Sequence, residues 1–140
     1  ADLALHVTAE TLAGLLIDAA RGMFSLLGCE APEGAPEVAR EVTLDAPDAE
    51  TLLVDWLGEI LYLHEAHGEC YTAFDIHALT PHHLEGTVRG RSGADELALA
   101  HARGGAERRR LLRGLRLARA AAGEVEGEEE DATEYTAMAM

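Results

Sequence analysis

The sequence contains no lysine. All 11 of its basic residues are arginines, set against 26 acids, for a formal net charge of −15. That balance argues against a general nucleic-acid-binding surface, because phosphate binding needs clustered cations. No run of about 18 apolar residues occurs, so no membrane span is expected, and no secretory signal pattern is visible. Cysteine is scarce as well. Cys29 and Cys70 stand far apart, outside any C-x-x-C arrangement, and are expected to be two reduced thiols in a cytosolic protein. There is no G-x-x-x-x-G-K-[ST] loop, G-x-S-x-G elbow or H-E-x-x-H motif, which leaves an independent hydrolase or NTPase without support.

What is present is a core. The chain has 140 residues, of which 48% are hydrophobic, enough for one domain. The large apolar residues are concentrated before Gly90; beyond it Ala, Gly, Arg and Glu dominate. Abundant Ala, Gly and Arg without Lys points to a GC-rich coding sequence, a property of the genome and not of function.

Periodicity organises the first 90 residues. Leu3, Leu5 and Val7 alternate with Asp2, Ala4, His6 and Thr8, a strand pattern. Leu12, Leu15, Leu16, Ala19, Ala20, Met23, Phe24 and Leu27 form one stripe of a helix that Gly28 stops. Residues 30–37, EAPEGAPE, read as a loop. Residues 38–46 alternate again, with Val42 and Leu44 inward. Asp48 is a good N-cap for a second helix, with Glu50 in its first turn. Leu52, Leu53, Trp56, Leu57, Ile60 and Leu61 fill the buried face of that helix, and Gly68 closes it. Two strands follow, one presenting Thr72, Phe74, Ile76 and Ala78 on one face, the other Leu84, Gly86 and Val88. The Thr80–Pro81 connection makes them a hairpin. The order β-α-β-α-β-β predicts an α+β fold with two amphipathic helices packed on one face of a sheet. Phe24 and Trp56 are expected in the core.

The last third differs. Residues 97–117 have the composition of an Arg-rich helix, interrupted at Gly104 and Gly105. Residues 124–134, EVEGEEEDATE, hold seven acids among eleven, a composition expected to be solvated and disordered. The division predicted is a domain over 1–90 and an atypical Arg-rich, then acidic, segment over 91–140.

The series of motifs resembles the archease family. ADLALHV is similar to the end of that family's H-T-A-D motif and the strand after it. TLAGLLIDAARGMFSLL resembles its first helix, with an A-A-x-x-M-F core. AETLLVDWLGEILYLHEAHGECYTAFDIHAL resembles its most recognisable stretch, and HLEGTVRG the strand ending in G-E. The resemblance implies a compact α+β domain. It also implies a non-catalytic accessory factor, cytoplasmic, whose partner is the RNA-splicing ligase that joins 3′-phosphate and 5′-hydroxyl ends in tRNA splicing and RNA repair. The factor promotes guanylylation and multiple turnover of that ligase. A divalent metal, calcium, is the implied cofactor, with Asp2 the one matched ligand.

The departures are equally specific. The H-T that precedes A-D is absent, and the family's continuation beyond the G-E strand is not seen after Gly90. The segment 91–140 is therefore expected to supply no closing strand and no C-terminal carboxylate to the metal. The sheet is then expected to keep an unpaired edge, and the metal site to be weak. A reading-frame shift near residue 90 would account for this: ERRRLLRG from Glu107 can be encoded by DNA whose other frame reads A-A-A-S-Y-E, similar to the lost motif. A rival reading is a non-catalytic metal-binding or protein-interaction module of the same fold serving another partner.

Among the other candidates, His64, His67 and Cys70 at the end of the second helix have zinc-ligand chemistry but no fourth ligand, and read as unlinked helix-end residues. His77, His82 and His83 read as surface side chains flanking the hairpin. Asp55 and Glu59, one turn apart, read as a solvated helix flank rather than an acid–base pair.

Overall fold

The structure is a computed structural model that describes residues 5–29, 31–92, 116–121 and 133–139. Its elements are β1 (Leu5–Ala9), α1 (Leu12–Leu27), β2 (Glu37–Asp45), α2 (Ala49–His67), β3 (Cys70–Thr80), β4 (His83–Arg91), β5 (Arg116–Ala121) and β6 (Thr133–Ala139). Asp2 and residues 107–114 lie outside the described residues, as does most of both the Arg-rich and the acidic run.

The two helices form where the apolar spacing places them, and local chemistry ends them. The Thr11 side chain accepts from the Gly14 amide at 3.0 Å, and Asp48 accepts from the Thr51 amide at 2.7 Å, each satisfying one orphan N–H of a first turn. At their C-termini Gly28 and Gly68 take φ of 63° and 64°, the left-handed cap that costs glycine least. The stripe of α1 (Leu15, Leu16, Ala19, Ala20, Met23, Phe24 and Leu27) is buried. It packs with Leu52, Leu53, Trp56, Leu57, Ile60 and Leu61 of α2 in one core. Trp56 is fully buried and its indole N–H donates to the Leu16 carbonyl across the helix pair at 2.9 Å.

The α+β class holds, but the strands divide into two antiparallel sheets of three, in the orders β2-β4-β3 and β1-β6-β5. In the first, the β3–β4 hairpin closes at Thr80↔His83, as the turn signal predicts, and Val42, Leu84 and Val88 point into the core. The expected face of β3 is only half correct. Register shifts at Tyr71/Ala73 and Ile76/Ala78 each insert a residue, so Phe74 faces the core, opposite Val88, while Thr72 and Ala78 are exposed. A bulge exchanges the faces of everything beyond it.

The second sheet corrects the expectation that nothing after Gly90 closes the fold. β6 runs antiparallel to β1 over Leu5↔Ala139 to Ala9↔Tyr135 and pairs on its other side with β5. Leu117 therefore lies in strand β5, not at the end of a helix, and Glu134 belongs to β6 rather than to a disordered acidic run. In β6 the inward side chains are Tyr135, partly buried against the core, and Ala137, fully buried. The Leu117 amide donates to the Glu50 carboxylate in the first turn of α2 at 3.1 Å. β1 is thus bonded to β6 on one side, and among the described residues it remains, with β5, an edge strand of that sheet.

Candidate functional site

Chemistry-bearing side chains gather where both helices end. Each helix is followed, one or two residues past its glycine cap, by a cysteine: Cys29 after α1, and Cys70 as the first residue of β3. Their Cα atoms lie 5.8 Å apart and the two are joined in a disulfide, within the Cα separation such a bond requires. This corrects the expectation of two free thiols. A sequence separation of 41 carries no pairing signal; the meeting of the two helix C-termini brings the two together.

His64, in the last turn of α2 and 5% exposed, lies beneath the disulfide. Its Nδ1 is 2.7 Å from the Glu69 carbonyl oxygen and 3.8 Å from Cys29 Sγ, and its ring stands edge-on to Phe24 at 5.5 Å between centroids. A carbonyl oxygen only accepts, so Nδ1 carries the proton and donates. One donor atom each from Cys29, His64 and Cys70 lies within 4.8 Å of the others. The expected unlinked reading is thus overturned for His64 and Cys70. His67 is exposed and does not belong to the group, whereas Cys29 does.

Next to this group sits a buried carboxylate. Glu69, 2% exposed, receives Arg40 in a two-pronged bond, Nε to Oε1 at 2.9 Å and Nη2 to Oε2 at 2.7 Å. The Tyr71 hydroxyl donates to Oε1 at 2.6 Å. Arg40 first, then Tyr71, hold the Glu69 carboxyl below its usual range against the opposing effect of burial. Burial, reinforced by Glu69, pushes the Tyr71 hydroxyl far above a free phenol. Glu69 is therefore a carboxylate at every physiological pH and Tyr71 a fixed donor; neither is poised to exchange a proton.

A second cluster lies on the outer face of the β2-β4-β3 sheet. His83 Nδ1 is 2.7 Å from Asp45 and its Nε2 2.8 Å from Glu85. Both nitrogens face acceptor-only groups, which favours the doubly protonated ring, and the bonds to Glu85 and then Asp45 raise its pKa above 6.5. Further along the same face His77 Nε2 is 2.7 Å from Thr87 Oγ1, and that hydroxyl donates to Glu41 at 3.0 Å. His77 and His82 are exposed as expected. Asp55 is exposed and Glu59 partly so, the solvated flank the spacing suggests.

Calcium can be tested against the donors in view. A hard cation takes six to eight oxygens. Among the described residues the group of three or more potential ligands is one nitrogen and two sulfurs, which does not fit it. Asp2 lies outside the described residues.

Among the described residues, fold and clusters together define a small α+β domain of two helices and two antiparallel sheets, with polar clusters at the helix C-termini and on the outer face of the β2-β4-β3 sheet. The chain belongs to the archease family: the model of the Archease protein family matches residues 1–101. The chain is 30% identical over 96 residues to Protein archease of Methanosarcina mazei, an alignment covering 69% of this chain and 65% of that protein. It is 31% identical over 96 residues, with the same coverage, to that of Methanosarcina acetivorans. The Methanopyrus kandleri protein is 35% identical over 94 residues, covering 64% of this chain and 66% of its own length. The chain thus spans 65% of the length of the Methanosarcina relatives. A solution structure of protein 1598 of Methanobacterium thermoautotrophicum is also similar, at 20% identity and a TM-score of 0.46, covering 97% of this chain and 89% of that one. No helix among the described residues is long and apolar enough to cross a membrane.

Proposed function

We propose that this chain is a non-catalytic cytoplasmic cofactor of an RNA-splicing ligase, promoting its guanylylation and multiple turnover in tRNA splicing and RNA repair. Membership of the archease family over residues 1–101 is the observation that carries this reading. It is supported by the acidic charge of −15, which suits a protein partner better than RNA. A divalent metal, calcium, belongs to the proposal, with Asp2 as a ligand. The strand that follows Asp2 is β1, and β1 is held by β6 at the other end of the chain.

The test is ligation of ends bearing a 3′-phosphate and a 5′-hydroxyl by the cognate ligase, with this protein at substoichiometric ratio. The expected result is many product molecules per ligase in its presence and about one in its absence. Unchanged turnover with folded protein would remove the proposal. It would leave the rival, an interaction module of the same fold with a different partner.

A further inference from the structure

The geometry points to a zinc site formed by Cys29, His64 and Cys70 when their disulfide is reduced. Two sulfurs and an imidazole nitrogen already lie within 4.8 Å of one another. Zinc selects such donors, and four ligands at about 2.0–2.3 Å from the metal place neighbouring donors roughly 3–4 Å apart. The three come from rigid places: the residue after the α1 cap, the last turn of α2 and the first residue of β3. Little backbone movement is needed to let the sulfurs part.

The fourth position is open to solvent. A groove of about 360 Å³ lined by Cys29, Ala31, Cys70, Thr72 and Arg91 lies over the sulfurs, so water completes the tetrahedron from that side. Cys29 is partly exposed there while Cys70 and His64 are buried. The surroundings also fit. The nitrogen that faces Cys29 Sγ, Nδ1, is the one that now donates to the Glu69 carbonyl, so that carbonyl orients the ring as the partner of a ligating imidazole does only for a zinc ion taking Nε2. A zinc ion taking Nδ1 displaces that hydrogen bond, whereas one taking Nε2 keeps it.

Two thiol–disulfide exchanges convert the disulfide into the site. A dithiol reductant attacks Cys29 Sγ, the accessible sulfur. A bond forms between the reductant and Cys29, and the Cys29–Cys70 bond breaks, with Cys70 leaving as thiolate. The second reductant thiol then displaces Cys29, the reductant closing to its own disulfide. Two electrons pass to the cysteine pair. Zn²⁺ then binds both sulfurs as thiolates, and any thiol proton is released to water. In a reducing compartment thiols are kept open, so the same three residues alternate between a covalent staple and a metal centre.

The test uses the full chain, reduced with a phosphine and cleared of reductant under anaerobic conditions, then titrated with Co²⁺ and Zn²⁺. The reduced protein is expected to take up one equivalent of Co²⁺ with thiolate-to-cobalt charge-transfer absorption, which one equivalent of Zn²⁺ abolishes. The oxidised protein shows no such absorption. Cys29→Ser and His64→Gln should each weaken Zn²⁺ binding by more than the 10–100-fold typical of losing an outer neighbour of a ligand, with circular dichroism reporting the fold. Absence of the charge-transfer band in reduced wild-type protein overturns the proposal. So does a band whose strength is the same in folded His64→Gln, or one seen only after the reduced chain has lost its helices.

Discussion

The two sheets are assembled from the chain in opposite ways. β2, β3 and β4 all fall between Glu37 and Arg91 and include a two-residue hairpin. The other sheet joins β1 to β6, so Leu5 faces Ala139. The first is made of strands with strong aliphatic alternation and near neighbours in sequence; the second brings the two ends of the chain together. Local pairing announces itself in residue periodicity, whereas pairing between chain ends does not, because its register is set by what the rest of the fold leaves open.

The comparison can be pressed hardest in the core shared by both sheets. Trp56→Ala removes the largest fully buried side chain and its bond to Leu16, and should cost about 3–5 kcal/mol in chemical denaturation. A cost below about 1 kcal/mol, the surface range, would mean the helix faces are misplaced. Ala137→Asp asks the same of the second sheet. It places an unpaired charge at a position with no exposure and should cost about 3–5 kcal/mol. A neutral effect would show that β6 does not pack on the core.

The buried carboxylate comes next. Glu69→Ala strips Arg40 and Tyr71 of their shared acceptor and should cost about 2–4 kcal/mol. Because the folded pKa of Glu69 is lowered, its contribution is present above the unfolded carboxylate pKa of about 4.3 and is lost as pH falls through the folded value. The difference in stability between wild type and Glu69→Ala should therefore shrink in acid; a constant difference down to low pH would contradict the ion pair.

The smallest effect is expected at His83. Its folded pKa is raised, so the clamp by Asp45 and Glu85 contributes fully below about 6.5 and fades as pH rises through the folded value. His83→Ala should destabilise slightly at mild acidity and not at all in alkali, read as a difference in melting temperature. The opposite pH trend would show that the ring is neutral in the native state.

How much of this was legible follows the same division. The helix stripes, the Asp48 cap, the glycine stops and the β3–β4 turn each depend on residues within a few positions, and the sequence displays them. The bulges in β3 were hidden because an inserted residue leaves the alternation intact on either side. β6 was hidden because Thr133–Ala139 carries Tyr135 and Ala137 on its inward face, with no Val, Ile or Leu, and sits beside an acidic run that suggests disorder. The family resemblance was readable from motif order, yet its matched ligand, Asp2, lies outside the described residues. The Cys29–His64–Cys70 group was half readable: the spacing of His64 and Cys70 drew notice, but Cys29 is 35 residues before His64 and only the packing of helix ends reveals it.

The claim on which the comparison turns is that β6 closes the domain against β1. Native-state hydrogen exchange of the full chain tests it most directly. β6 is the central strand of its sheet, so the amides of residues 134–138 should exchange slowly, on the scale of those in β4, the central strand of the other sheet. Exchange of residues 134–138 at the rate of an unstructured peptide, while β4 stays protected, would contradict it and leave β1 without its pairing partner.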